Sequence, residues 1–146
     1  MAIPPLQING ELPPGEHPAT LSEIEVVYGS ANDQRKLLMH GLREATTQFK
    51  CAGVKVLWVN GSFVTDKEIP NDIDGCWQYT PDVAIDKLDP VFLMRSRQAM
   101  KDKYGLDFFI ANIIEMGSGL PFPKFFQTNR DGESKGILVI TLEEAL

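Results

Sequence analysis

The residues best suited to chemistry in this chain are a pair of aspartates, a Gly-Ser dipeptide and a third, more distant aspartate. Asp72 and Asp74 stand two positions apart, and in an extended segment residues i and i+2 project to one face, so their carboxylates would lie side by side. Like charges held together repel and want a cation. Hard oxygen ligands at this spacing suit Mg²⁺, or Mn²⁺, held by one or two carboxylates and completed by water and substrate phosphates. Upstream come Gly61 and Ser62: the glycine allows close backbone approach, and the Ser62 hydroxyl with nearby backbone N–H groups would hold a phosphate against that metal. A third carboxylate is needed to ligate a second ion or to take the proton of an acceptor. Asp107, flanked by Leu106 and Phe108, is the candidate. The expected catalytic and metal-binding set is therefore Asp72, Asp74 and Asp107. The same letters also fit a turn glycine, an Asx-type loop at Asn71-Asp72 and two solvent-facing aspartates. Gly-Ser recurs at 29–30 and 117–118, so only joint placement on neighbouring elements separates the two readings.

The elements that must position these residues are legible from periodicity. After Asn32 or Asp33 as N-cap, apolar residues recur at Leu38, Leu42, Ala45, Phe49 and Ala52 until Gly53, which predicts a long helix despite Gly41. Residues 54–60, rich in β-branched and aromatic types, predict a buried strand ending at Gly61, and 72–77 a second, weaker one. Between them, 61–71 reads as a loop. Asp89 before Pro90 predicts a helix start, with the helix running to Tyr104. Residues 106–114 then read as a third strand, 123–127 as a short helix, Asn129 to Gly132 as a turn and 136–142 as a last strand. Five of the ten prolines fall within residues 1–20, predicting an extended, irregular arm wrapped on the surface. Three adjacent strands would each carry one piece of the site.

Composition limits the functions available. A chain of 146 residues predicts one domain with one core. A formal net charge of −6 argues against generic attraction to nucleic-acid phosphates or anionic lipid, so a nucleic-acid substrate would need a local basic groove. Cys51 and Cys76 have no CxxC spacing, and His17 and His40 stand apart without ligand spacing. Neither a disulfide framework, a zinc site nor a Ser-His-Asp triad is expected, and a reducing, cytoplasmic setting fits best. No leader-like segment and no 18-residue apolar run occurs, so no membrane partner is expected.

The string GSFVTDKEIPNDID resembles the signature of the minimal nucleotidyltransferases of the polymerase-β-type superfamily, a Gly-Ser followed about ten residues later by Asp-hydrophobic-Asp. The segments LPPGEHPATLSEIE, AGVKVLWVNGSFVTDK, NDIDGCW, LDPVFL and FFQTNRDGESKGILVI are similar to a bacterial family of small nucleotidyltransferase-like proteins over nearly the whole chain. The resemblance implies an α/β (α+β) fold, polymerase-β-like, with a mixed central sheet and helices packed on it. It implies phosphate binding by Gly61 and Ser62, magnesium at Asp72 and Asp74, and Asp107 as third carboxylate. Many such relatives occur in toxin–antitoxin or phage-defence pairs. Two departures stand out: Asp66 and Glu68 add negative charge near a phosphate, and Gly75 after Asp74 suggests a bulge that re-aims the second aspartate.

Basic residues complete the expected nucleotide set. Lys67 lies in the loop after Ser62, Arg97 and Lys101 one helical turn apart with Arg95 and Lys103 flanking them, and Arg130 and Lys135 around the turn before the last strand. Each also fits a solvated face or an exposed turn. Trp58 and Trp77 read as core residues rather than a base-stacking platform. The sequence thus predicts a Mg²⁺-dependent nucleotidyltransferase moving an NMP from an NTP to a hydroxyl of a protein or RNA acceptor. The alternative is a catalytically inactive binding module of the same fold, an antitoxin or regulatory partner. A small metal-dependent nuclease is disfavoured, because no histidine or lysine base accompanies the aspartate pair.

Overall fold

Burial alternates along the strands of one five-stranded sheet, and the alternation assigns its two faces to different tasks. The computed structural model describes residues 3–94 and 96–142. The strands are β1 (Gly15–Pro18), β2 (Val56–Asn60), β3 (Ile73–Trp77), β4 (Leu106–Ile110) and β5 (Gly136–Thr141), in the spatial order β1-β5-β2-β3-β4. β1 runs parallel to β5 and β3 parallel to β4, while β2 is antiparallel to both β3 and β5. The fold is therefore mixed α/β around a mixed sheet. Leu57, Val59, Ile73, Trp77, Leu106, Phe108, Leu138 and Ile140 belong to the main core. The alternate residues Trp58, Cys76, Phe109 and Ile137 pack in a smaller cluster with Phe122 and Phe126, on the other face as strand period 2 requires.

Helices cover the main-core face. α2 (Asp33–Cys51) begins where the Asn32 side chain accepts a hydrogen bond from the Arg35 N–H at 2.9 Å and ends before Gly53, at φ +91°, a stop signal that only glycine takes cheaply. Its buried stripe of Leu38, Leu42, Ala45 and Phe49 faces the sheet. α1 (Leu21–Tyr28), absent from the sequence reading, opens with a complete capping box between Thr20 and Glu23, each side chain closing the other's free backbone N–H. α3 (Gln98–Tyr104) crosses between β3 and β4, and α4 (Phe122–Phe125) caps the smaller cluster.

Several boundaries differ from the periodicity reading. The expected helix from Asp89 is only a 3-10 turn at Pro90–Phe92, and α3 starts at Gln98. Burial of Phe92, tilted against Phe49 with centroids 4.3 Å apart and stacked on Tyr104 at 5.2 Å, bends the chain there. The Asp89 carboxylate meanwhile accepts from the Tyr104 hydroxyl at 2.5 Å and Lys103 Nζ at 2.6 Å. Arg95, expected on that helix, lies outside the described residues. The N-terminal arm does more than wrap the surface: Leu12 is 1% exposed within the main core and β1 extends the sheet, with Pro18 on an edge strand where no ladder donor is lost. Gly75 marks no bulge. Its pairing with Val59 and Phe108 is regular, and a Cβ there would collide with the Phe108 ring and the Trp58 carbonyl.

Gly41 is likewise a packing glycine, since a Cβ at this position would strike the Tyr104 carbonyl of α3. Gly41→Ala should therefore lower stability by about 1–3 kcal/mol through overpacking, against the roughly 1 kcal/mol that alanine gains in an exposed helix. Urea denaturation of the purified variant measures the sign directly.

Candidate active site

The parallel register of β3 and β4 sets Asp74 directly beside Asp107, and Asp72 enters β3 one residue before its first pair. One carboxylate oxygen from each of Asp72, Asp74 and Asp107 lies within 4.8 Å of the other two. Asp74 and Asp107 occupy the face opposite the main core, beside the row that Cys76 and Phe109 continue. Hard oxygens this close fit a divalent cation of Mg²⁺ type in donor chemistry.

β2 delivers the Gly-Ser pair to the same place. Gly61 follows Asn60 at φ +85°, and a Cβ on it would collide with the Asp74 carboxylate, so backbone and aspartate touch only because the residue is glycine. Ser62 opens a 3-10 turn, Ser62–Val64. A cavity of about 660 Å³ opens beside these groups, lined among others by Gly61, Ser62, Asp72, Asp74, Arg130 and Lys135. Lys67 lines it as well. Asp66 and Glu68 do not, and instead border a separate cavity under the N-terminal arm.

The basic residues divide into two groups. Arg130 and Lys135 sit in the cavity wall, presented by a turn in which Asn129 Oδ1 accepts from the Asp131 and Glu133 N–H groups at 2.9 Å. Arg97 and Lys101 do not line that cavity. The Arg97 guanidinium donates to the Asp107 carboxylate and the Phe108 carbonyl and stacks 3.8 Å over the Phe109 ring. Lys101 Nζ lies 3.7 Å from Asp72 and 3.9 Å from Asp107. Arg97 and Lys101, expected at the triphosphate, are placed by α3 and its N-cap against the carboxylates, where they offset the repulsion. Trp77 is fully buried as expected, whereas Trp58 is half-buried and donates to Glu16 at 2.5 Å.

Electrostatics at the cluster are those of a crowded anion site. Burial, then the charges of Asp72 and Asp107, push the Asp74 carboxyl up to about 6, against the pull of Lys135 and Lys101. Burial and the neighbouring Arg130 lower Lys135, opposed by Glu11 and Asp74.

Two residues that pattern reasoning missed shape the site. Arg35, 4% exposed, donates from its guanidinium to the carbonyls of Tyr28, Phe63, Thr65 and Lys67, pinning the Ser62–Lys67 loop to α1 and α2. An arginine inside a helix carries no sequence mark that separates it from a surface arginine. Asn60, the last residue of β2, is buried against the cavity with its side-chain oxygen unpaired. A further cavity of about 480 Å³ opens beyond Arg97, lined by Phe109, Ile113, Ile114, Met116, Phe122 and neighbours.

Residues 4–141 match a family described as a family of unknown function, DUF6932. The chain belongs to the DUF6932 family. No curated protein and no solved structure is matched. Among the described residues, no helix of this DUF6932 protein is long and apolar enough to cross a membrane.

Because Asp74 binds its proton more tightly folded than at its ordinary value of 3.8, the stability linked to that proton is present below this value and is lost as pH rises through about 6. Metal-free protein should therefore melt at a lower temperature at pH 7 than at pH 5. Asp74→Asn should flatten that dependence and raise Tm at pH 7, as read by calorimetry in EDTA.

Proposed function

We propose that this protein is a divalent-metal-dependent nucleotidyltransferase with a polymerase-β-like fold, moving an NMP from an NTP to a hydroxyl acceptor. The observation that carries the reading is the meeting of the Asp72, Asp74 and Asp107 carboxylates within 4.8 Å of one another, with Asp72 and Asp74 lining the polar cavity that the Gly61-Ser62 turn also borders. The antiparallel β2–β3 pair and the parallel β3–β4 pair support it, since each contributes one part. Asp72, Asp74 and Asp107 would hold Mg²⁺, or Mn²⁺, whose charge neutralises the phosphate oxygens when bound. Gly61, Ser62, Lys67, Arg130 and Lys135 bind and orient the triphosphate in the cavity. Asp107 takes the acceptor proton as the acceptor oxygen bonds to the α-phosphorus, and the bond to the bridging oxygen breaks to release pyrophosphate. Catalysis in this scheme is positional and electrostatic.

The apolar cavity on the Arg97 side favours a protein acceptor over RNA. Its lining is dominated by Phe, Ile, Leu and Met, with Arg97 as its one cation among the described residues and Glu115 opposing it, a poor match to a phosphate backbone. Leu93, Met94, Ile113 and Met116 are exposed beside it, as on a surface that receives another protein, including a cognate partner of toxin–antitoxin type. The inactive binding-module reading would have Asp107 turned from the cluster; its convergence with Asp72 and Asp74 favours catalysis.

Titration calorimetry with each NTP, with and without EDTA, tests the assignment. NTP binding should require Mg²⁺ and be abolished by Asp74→Asn, while Lys135→Ala should weaken it by about 10-fold or more through loss of a charge-assisted phosphate contact. Binding that is metal-independent, or unchanged in Asp74→Asn, overturns the reading.

A further inference from the structure

The register across three strands places Asn60 opposite Asp74 and Asp74 opposite Asp107. Directly paired residues project to one face of a sheet, so Asn60, Asp74 and Asp107 form a single row. Asn60 is 4% exposed, lines the polar cavity, and leaves its Oδ1 without a hydrogen-bond partner. A buried acceptor left unpaired costs stability, and nearly all such groups in folded proteins find a donor. Its surroundings offer carboxylates on one side, which accept but cannot donate when ionised. The cavity that Asn60 lines is the route by which a donor reaches this oxygen.

We propose that Asn60 accepts a hydrogen bond from a water carried by the divalent cation at the aspartate cluster, making it an outer-sphere positioning residue of that centre. This rests on the metal-centre reading above. Spacing decides between direct and water-mediated contact. Neighbouring strands are about 4.8 Å apart, so Asn60 stands one strand beyond Asp74 and about 10 Å from the Asp107 strand. An ion shared by Asp72, Asp74 and Asp107 sits on the far side of Asp74 from Asn60. Mg²⁺ binds its ligands at about 2 Å, too short for an amide on that flank, whereas a bound water extends the reach to about 4–5 Å. Magnesium sheds water reluctantly, and a metal-bound water is a strong donor looking for an acceptor. The neutral amide adds that acceptor without a fourth negative charge in a cluster already crowded with three.

The test uses the intact protein and Mg²⁺ alone, without nucleotide, by titration calorimetry beside melting curves in EDTA. Asn60→Leu removes the unpaired acceptor at similar volume. It should raise the metal-free Tm by a few degrees while weakening Mg²⁺ binding about 10-fold, the loss typical of removing an outer-shell partner. Asn60→Asp should shift the same two readouts the opposite way, lowering the metal-free Tm and tightening Mg²⁺. A purely structural asparagine, one donating its amide to Asp74 included, would lower Tm in Asn60→Leu and leave the affinity of the folded fraction unchanged; that result overturns the proposal. So does a variant that binds Mg²⁺ like wild type but loses NTP, since the acceptor would then serve a ribose hydroxyl. Wild-type Mg²⁺ binding that vanishes in Asp74→Asn keeps the metal centre intact even if the Asn60 arm fails, whereas wild-type protein that binds no Mg²⁺ overturns both.

Discussion

The parallel pairing of β3 with β4 is the constraint on which the site depends. It sets Asp74 opposite Asp107, and parallel neighbours cannot be joined by a hairpin, so the chain between them must cross over the sheet. That crossover carries α3. From α3 come Lys101, which approaches Asp72 and Asp107, and from its N-cap Arg97, which binds Asp107. One topological requirement thus assembles three negative charges and supplies the cations that make their proximity tolerable. The close passage of α3 over α2 at Gly41 and the packing of Phe92 between Phe49 and Tyr104 hold the crossover in place.

The sheet divides stability from chemistry by face. Its main-core side, under α1, α2 and α3, is closed by large apolar residues; the other side carries a small aromatic cluster around Phe122 and Phe126 and, next to it, the carboxylate row. Cavities flank that row on both sides, a polar one bordered by Gly61 and Lys135 and an apolar one bordered by Arg97 and Phe109. Under the proposed function two substrates must meet at one centre, and the chemical contrast of the two cavities would suit a charged donor and a protein acceptor. Arg35 makes the polar side rigid: its guanidinium spends its hydrogen bonds on four loop and helix-end carbonyls rather than on a carboxylate, which keeps the turn after Gly61 in one conformation.

Local patterns decided much of this in advance. The spacing of apolar residues from Leu38 to Ala52 and the stop at Gly53 specify α2, because a helix needs a continuous stripe and an end that glycine accepts cheaply. The β-branched run before Gly61 specifies β2, and Asp72 with Asp74 on an extended segment specifies two carboxylates on one face. The capping box at Thr20 and Glu23 is equally present in the letters, although the proline-rich arm before it suggests irregular chain. What the sequence could not determine were relations between residues distant along it. The identity of Asp107 as Asp74's neighbour, the pairing of Arg97 and Lys101 with carboxylates, the burial of Arg35 and the unpaired oxygen of Asn60 follow from strand register and from packing between elements. Periodicity reports which way a side chain points within its own element, but its partner is chosen by packing between elements, and packing energy is summed over the whole core.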